Sequence, residues 1–221
     1  MKYTANNLRK ISAVVFIAFA AVDVISVVDA ISKNYIYSLS NLYKFPLYLS
    51  TGELIVMWLK SLLPLFYHIF VVALSVILAV QLLKNKNETL LLRIFCLGNA
   101  AYFAYLAING GLFNQITYFG EFFGNLNLMS VQRLVTAALL IAIAVLYSNT
   151  CGKRQANALV ILSAVIYTAS TVVHLINVIS SGIAVTPVYS TVISIIAAVL
   201  AYLPLLLICI QKRIDSHKEE L

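Results

Sequence analysis

The sequence predicts an all-α integral membrane protein with six transmembrane helices, both termini in the cytoplasm, and a single domain over residues 1–221. Hydrophobic residues make up 62% of the chain and charged residues only 10%, which lies outside the range of soluble domains. Apolar runs of about 20 residues, the length that a bilayer requires, recur along the chain. Basic residues concentrate in alternate connections between these runs. We therefore expect a multi-pass protein of the cell (plasma) membrane whose main surroundings are lipid.

The apolar runs set the predicted spans, beginning with the N-terminal run. That run is as long as a bilayer span and has no signal-peptide cleavage site, so it is the first transmembrane helix. Thr186 before Pro187 has the pattern of an N-cap followed by a first helical residue and predicts the start of the last helix. Pro204 predicts a bend near the inner end of that helix. The six predicted spans are 11–32, 59–83, 91–113, 128–149, 157–180 and 187–210.

An additional helix is predicted ahead of the second span. Ser50 and Glu53 have the spacing of a capping box, which predicts a helix from about residue 51. A straight helix over 51–83 would be about 50 Å long, whereas the hydrocarbon core is about 30 Å thick. We therefore expect an outer interfacial helix at about 51–62, separated from the second span by a bend at Pro64.

The distribution of lysine and arginine predicts the orientation. Of the fifteen basic residues, eleven fall on the side of the termini and four on the other side. Because positive charge accumulates on the cytoplasmic side, both termini are predicted to be cytoplasmic and the loops 33–58 and 114–127 to face outward. The basic residues form short clusters at span ends, not a stripe, so nucleic acid is not an expected partner. The eleven inner residues are Lys2, Arg9, Lys10, Lys84, Lys86, Arg93, Lys153, Arg154, Lys212, Arg213 and Lys218.

A weak internal similarity favours an arrangement of three hairpins. Residues 11–26 align without gaps on residues 162–177, with six identical pairs, and the alignment places Asp23 opposite His174. The alternative is a chance match, because both segments use a small apolar alphabet.

Ionisable and polar side chains are predicted to converge in one layer. At 1.5 Å per residue from the inner ends, His68, Asn109, Arg133 and His174 lie about 24 Å up and Asp23 about 20 Å up. An ionisable side chain at membrane depth costs at least about 2–3 kcal/mol and usually faces the interior of the bundle. The layer therefore predicts a polar cavity that is open to the outside.

The charges of this layer need partners. Asp29 has Lys33 four residues later, a favourable spacing on a helix, but Asp23 has no such neighbour. Arg133 violates the positive-inside pattern and lies in the first turn of its helix, where the helix dipole disfavours a cation. An ion pair with Asp23, Asp29 or Glu121, an anionic group of a ligand, or snorkelling to the interface would each compensate it.

A polar stripe runs along the fifth predicted helix. Ser163, Tyr167, Ser170, Thr171, His174, Asn177 and Ser181 recur at steps of three and four residues. Such a stripe is unfavourable against lipid, so it either forms interhelical hydrogen bonds or lines a ligand site. The predicted ligand-binding residues of the chain are Asp23, His68, Asn109, Arg133, Tyr167, Thr171, His174 and Asn177.

No cofactor, metal site or catalytic residue is predicted. His68 and His174 at similar height would suit a haem or zinc ion, but each stands alone on its helix without cysteine or glutamate at ligand spacing. Cys96, Cys151 and Cys209 show no metal-binding pattern and are expected to be reduced thiols. The chain has no phosphate-binding loop, dinucleotide fingerprint, G-x-S-x-G or H-E-x-x-H motif.

These observations favour a small-solute binding or transport protein that takes its ligand from the outer side. Two alternatives stay open: a non-catalytic membrane scaffold, immunity or assembly subunit, and an intramembrane enzyme or a haem or metal protein. In topology, the six helices, cytoplasmic termini and outer loops resemble the membrane-embedded substrate-capture subunits of energy-coupling-factor vitamin transporters. The resemblance implies a separate membrane partner subunit that supplies energy, since this chain has no nucleotide-binding motif.

Overall fold

The computed structural model describes residues 2–30, 51–108, 128–180 and 188–216, and these residues form helices and short connections without a strand. The all-α class predicted from composition is thereby confirmed for this part of the chain. The helices are α1 (Lys2–Ala30), α2 (Thr51–Leu83), α3 (Thr89–Ala107), α4 (Leu128–Leu146), α5 (Lys153–Ser180), α6 (Val188–Ala201) and α7 (Leu203–Ser216).

Four helical segments of the described chain are long and apolar enough to cross a membrane, as expected of a membrane-embedded protein. A further apolar helix, Ser130–Leu146, is shorter. The number of six spans and the cytoplasmic side of the termini stay predictions. The four segments are Leu62–Leu83, Thr89–Ala107, Lys153–Val173 and Thr191–Ser216.

The segment predicted as an outer helix belongs to α2. The predicted start at residue 51 agrees with the structure, and α2 continues without a break from Thr51 to Leu83 with Pro64 inside it, so residues 51–62 are not a separate helix. The bend at Pro64 stays a prediction. A proline removes one backbone donor, and helices of membrane proteins tolerate that loss where neighbouring groups compensate it.

The last predicted span is divided into two helices. The helix is interrupted at Tyr202, between α6 and α7. Pro204 explains the interruption, because it has no N–H to donate to a carbonyl one turn earlier and its ring disfavours helical backbone before it. The predicted bend at Pro204 is thus a break between two helices.

The helices pack as a closed ring. Each of α1 to α5 contacts the next helix along the chain, α5 contacts both α6 and α7, and these two contact α1. Among the described elements, helices on opposite sides of this ring do not contact each other. The pairs α1–α2, α3–α4 and α5–α6, which correspond to the three predicted hairpins, are each in contact.

A cluster of polar side chains around a mostly buried ion pair lies at one end of the ring. Arg9 Nη2 forms an ion pair of 2.6 Å with Glu88 Oε2, and the two side chains are only 16% and 7% exposed. The Tyr147 hydroxyl donates to Glu88 Oε1 over 2.9 Å. Lys212 Nζ donates to the Asn149 carbonyl over 3.0 Å. We call Arg9, Glu88, Tyr147, Asn149 and Lys212 the inner-end cluster, because the positive-inside pattern predicts this end to be cytoplasmic.

Next to the inner-end cluster lies a layer of apolar side chains contributed by α1 to α5 and α7. These side chains are at most 1% exposed, so they fill the middle of the ring at that height. In a bilayer, such helices are held together by close van der Waals packing more than by the hydrophobic effect. The layer consists of Phe16, Leu78, Leu82, Leu92, Phe95, Leu140, Ile143, Leu159, Leu205 and Ile208.

Candidate functional site

A cavity of about 350 Å³ lies between the helices of the ring, on the side of the apolar layer away from the inner-end cluster. Helices α1 to α6 all contribute side chains to its wall, and we call it the central cavity. Its polar and ionisable wall residues are Asp23, Tyr67, His68, Asn99, Gln132, Arg133, Ser170 and Tyr202. Its apolar wall residues are Phe19, Val71, Phe95, Phe103, Val173, Ala197, Ala198 and Ala201.

Asp23 of α1 and His68 of α2 form a pair in the wall of the central cavity. His68 Nδ1 lies 2.9 Å from Oδ1 and 3.1 Å from Oδ2 of Asp23. The Asp23 side chain is 13% exposed and that of His68 is 33% exposed. An ionised carboxylate only accepts hydrogen bonds, so in this pair Nδ1 carries the shared hydrogen and Nε2 is the other nitrogen of the ring. The partner that Asp23 needs at membrane depth is therefore His68.

Tyr67 and Asn99 form the second polar pair of the wall. The Tyr67 hydroxyl donates to Asn99 Oδ1 over 2.7 Å, and Asn99 Nδ2 donates to the Phe95 carbonyl over 2.7 Å. The Tyr67 ring also stacks on the ring of Tyr102, with the centroids 3.5 Å apart. These contacts fix the orientation of the Asn99 amide, whose Nδ2 carries a second hydrogen that the Phe95 carbonyl does not take.

Near these two pairs, Gly98 of α3 lies against the ring of Phe70 of α2. A Cβ atom at Gly98 would lie 2.3 Å from Phe70 Cζ, so the absence of a side chain at Gly98 makes room for the Phe70 ring. The small residue thereby lets α3 approach the helix that carries Tyr67 and His68.

Arg133 lies in the wall of the central cavity and is compensated by a helix terminus. Its Nη1 atom donates to the Leu106 carbonyl over 3.4 Å. Leu106 is the second-to-last residue of α3. Carbonyls at this end of a helix lack intrahelical donors, and the helix dipole is negative there. Basic side chains commonly bind carbonyls at this position.

Of the partners considered for Arg133, Asp23 forms its ion pair with His68 instead. No carboxylate among the described residues forms an ion pair with Arg133. The Asp29 side chain and Glu121 were the other two candidate partners of Arg133. Both lie outside the described part of the chain.

The polar stripe of α5 divides into different environments. Thr171 Oγ1 donates to the Ala198 carbonyl of α6 over 3.4 Å, an interhelical hydrogen bond, and Tyr167 packs against the buried core. Neither residue is part of the cavity wall, whereas Ser170 is. The rotation of the helix decides this, since Ser170 differs by about 100° from Thr171.

Three predicted site residues are not placed by the structure. His174 and Asn177 belong to α5, but their side chains lie outside the description, and Asn109 lies outside the described residues altogether. Within the described residues, no three His, Cys, Asp or Glu side chains are grouped so that they could hold a metal ion.

Several wall residues were not predicted. Tyr67 and Gln132 are the sequence neighbours of His68 and Arg133, but their side chains carry no charge. Asn99 is only six residues after Arg93, or about 9 Å above the inner edge, well below the predicted polar layer. The central cavity therefore reaches deeper into the bundle than the ionisable residues alone indicate.

No protein-family model matches this chain, and no curated protein or solved structure matches it.

The wall of the central cavity combines apolar surface with a few polar and charged side chains. Its volume of about 350 Å³ is at the lower end of the range for ligand pockets, about 300–1,000 Å³. Arg133 contributes a guanidinium, the Asp23–His68 pair a carboxylate and an imidazole, and Asn99 an amide. Three phenylalanines surround these groups with apolar surface. This mixture of aromatic surface and a few convergent polar groups is typical of solute sites.

Proposed function

We propose that this chain binds a small solute in the central cavity and acts as the binding or translocation subunit of a membrane transport system. The solute enters from the side opposite the inner-end cluster. In this proposal the chain crosses the plasma membrane six times with cytoplasmic termini, and a separate membrane partner supplies the energy.

The observation that carries the proposal is a cavity walled by six helices with ionisable groups on several of them. Asp23, His68 and Arg133 come from three helices, and each is costly at membrane depth. Groups of this kind are retained in membrane proteins chiefly where they bind or conduct something. Among the described residues, Asp23 and His68 pair with each other, whereas Arg133 donates to a carbonyl.

The direction of entry is supported by the packing below the cavity. The apolar layer fills the ring between the central cavity and the inner-end cluster, with side chains at most 1% exposed. The buried pair of Arg9 and Glu88 then closes the end of the ring. In the proposal the solute therefore enters from the opposite end.

A non-catalytic scaffold or assembly subunit is the second candidate. It is favoured by the mutual hydrogen bonds of Asp23 with His68 and of Tyr67 with Asn99, because paired polar groups also lock helices together. It predicts that no solute binds.

A thermal-stability screen of the purified protein in lipid nanodiscs tests the proposal. The panel contains carboxylates, amines, uncharged amides and monosaccharides. We expect at least one of these classes to raise the unfolding temperature of the wild-type protein. The variant Ala197→Phe fills the cavity without removing a polar group and should abolish the shift.

The matched control is Ala101→Phe, since Ala101 is an exposed position of α3 outside the cavity wall. It should retain the shift. Absence of a shift with every class, or a shift that survives in Ala197→Phe, would contradict the proposed function.

A further inference from the structure

We infer that the solute is a small amphipathic monocarboxylate that binds Arg133, and that its binding is accompanied by protonation of His68. This inference rests on the proposed function and names the ligand class of the same cavity. It follows from the charges of the described cavity wall and from the hydrogen-bonding groups that this wall presents.

The charged groups on the cavity come from three helices. Asp23 of α1 is a carboxylate, His68 of α2 is an imidazole, and Arg133 of α4 is a guanidinium. Tyr67 and Tyr202 also line the cavity, and a tyrosine hydroxyl carries no charge near physiological pH.

The remaining helices contribute no described titratable group to the wall. α3 contributes Asn99 and α5 contributes Ser170, while the α6 residues on the wall are alanines. His174 follows Ser170 by about one turn of α5, and its side chain lies outside the description.

The net charge of the cavity wall depends on whether His68 is protonated. With a neutral imidazole, the carboxylate of Asp23 balances the guanidinium of Arg133, and the described wall carries no net charge. With a protonated imidazole the wall carries one positive charge. Histidine is the side chain whose charge most readily changes near neutral pH. When His68 is protonated, the positive charge of the wall therefore balances the single negative charge of a bound monoanion.

Arg133 is the group that can bind the carboxylate directly. Its guanidinium carries five N–H donors, and the contact with the Leu106 carbonyl uses Nη1 over a long distance of 3.4 Å. The other donors form a planar fork of the geometry that carboxylates accept in pairs. Arg133 is therefore the anchor of the anionic group.

His68 can take the proton without rearranging. Its Nδ1 atom is already held between the two oxygens of Asp23, at 2.9 and 3.1 Å. Protonation at Nε2 leaves that contact unchanged and turns it into an ion pair. The proton stays on His68 while the carboxylate remains ionised at Arg133, so no covalent bond changes in the ligand.

The rest of the wall selects an apolar body. Phe19, Phe95 and Phe103 line the cavity together with the alanines of α6. Burying apolar surface against these side chains is favourable, whereas a second charge on the ligand would have no counter-charge in the described wall. Phosphate monoesters carry about 1.5 to 2 negative charges at neutral pH, so carboxylates fit better.

Isothermal titration calorimetry on the nanodisc protein tests the inference. The probes are benzoate and octanoate, each paired with its uncharged amide, and phenylphosphonate, which is compared at pH 8, where it is mainly a dianion. Each titration is run at pH 6, 7 and 8 in two buffers that differ in ionisation enthalpy, which reports the number of protons taken up.

We expect one or both carboxylates to bind at least tenfold more tightly than their amides and the phosphonate. In the pH range where the free imidazole is neutral, we expect affinity to fall about tenfold per pH unit, with uptake close to one proton.

Two variants separate the two halves of the inference. His68→Gln keeps a hydrogen-bond donor for Asp23 but cannot titrate, so carboxylate affinity should become independent of pH. Arg133→Gln should lose at least tenfold in carboxylate affinity and leave amide binding unchanged. If Arg133→Gln does not fold, Arg133→Lys keeps the charge without the planar fork and should weaken carboxylate binding by a smaller factor.

The outcomes distinguish this inference from the proposed function. Equal binding of carboxylates and amides, tighter binding of the phosphonate, or carboxylate binding without proton uptake would overturn the inference. The proposed function would survive any of these results, because a solute would still bind. Binding of amines or monosaccharides alone would likewise overturn only the inference, whereas the absence of binding by every class in the screen contradicts the proposed function.

Discussion

His68 Nδ1 lies 2.9 Å from Asp23 Oδ1, although the two residues are 45 positions apart in the chain. The contact joins α1 to α2 and provides each of two ionisable groups with a partner inside the ring. An unpaired charge at this depth would be costly, so the pair contributes to the packing of these two helices as well as to the cavity wall.

Replacing Asp23 by alanine should destabilise the fold more than replacing it by asparagine. Asp23→Ala leaves the His68 Nδ1 hydrogen without an acceptor, at a cost of about 1–3 kcal/mol, whereas asparagine keeps one acceptor oxygen. Reversible unfolding in detergent mixtures measures the difference. Val24→Ala is the control, since Val24 is 45% exposed on the outside of α1. Equal losses for Asp23→Ala and Asp23→Asn would show that the hydrogen bond contributes nothing.

Breaking the ion pair of the inner-end cluster should be costly. Glu88→Gln leaves the mostly buried Arg9 guanidinium without its counter-charge, for which we expect a loss of about 3 kcal/mol. The double variant Arg9→Met with Glu88→Met removes both charges and should recover most of this loss. Lys84→Met at an exposed neighbouring position is the control and should change the unfolding free energy little. A double variant that is less stable than Glu88→Gln alone would contradict this view of the pair.

Tyr147 should make the stability of the protein sensitive to alkaline pH. The residue follows the last residue of α4, outside the candidate spans. Burial, and then the Glu88 carboxylate that accepts its hydrogen bond, raise the pKa of the Tyr147 hydroxyl well above its usual range. The folded state thus holds this proton more tightly than the unfolded state.

The resulting stability is fully present below the unfolded pKa of tyrosine, about 10, and is lost as pH rises from there toward the folded pKa. Unfolding temperatures between pH 7 and 11 should therefore fall more steeply for the wild type than for Tyr147→Phe. Tyr147→Phe should be less stable at pH 7 by about 1 kcal/mol, the net value of a hydrogen bond. Parallel alkaline profiles for the two proteins would be evidence against a contribution from Tyr147.

Adding a methyl group at Gly98 should disturb the contact between α2 and α3. The new Cβ would lie 2.3 Å from Phe70 Cζ, so the ring or the helix must move. Gly98→Ala should cost about 1–3 kcal/mol, as overpacking of a close contact does. A second substitution, Phe70→Leu, should relieve part of the loss. At Gly152 an added Cβ meets no atom within 4 Å, so Gly152→Ala is the matched control. A Gly98→Ala protein as stable as Gly152→Ala would argue against the close contact.

The sequence predicted the class of the protein and the height of its ionisable residues better than their partners. Apolar runs of bilayer length and the capping residues near Ser50 placed most helices. Counting 1.5 Å per residue put Asp23 and His68 near one height, where the structure pairs them. The height of a residue along a helix does not say which way its side chain points around the helix axis. That direction places Ser170 on the cavity wall and Thr171 against a neighbouring helix.

Other features of the cavity arise from tertiary packing and have no clear signal in the local sequence. The partner of Arg133 is a backbone carbonyl at the end of α3, and a carbonyl has no signature in the sequence. The depth of the central cavity follows from Asn99 and Tyr202, whose polar groups meet the cavity because six helices close into a ring. A list of ionisable residues alone misses such uncharged groups.

The central claim is that the central cavity is open to solutes from the outer side of the membrane. Labelling of Ser170→Cys tests it most directly, in a background where Cys96, Cys151 and Cys209, all buried, are replaced by alanine. The account predicts that a small membrane-impermeant thiosulfonate modifies this cysteine in intact cells, and that the modification is slowed by the solute that raises the unfolding temperature. Modification that requires permeabilised cells, or none in either case, would contradict it.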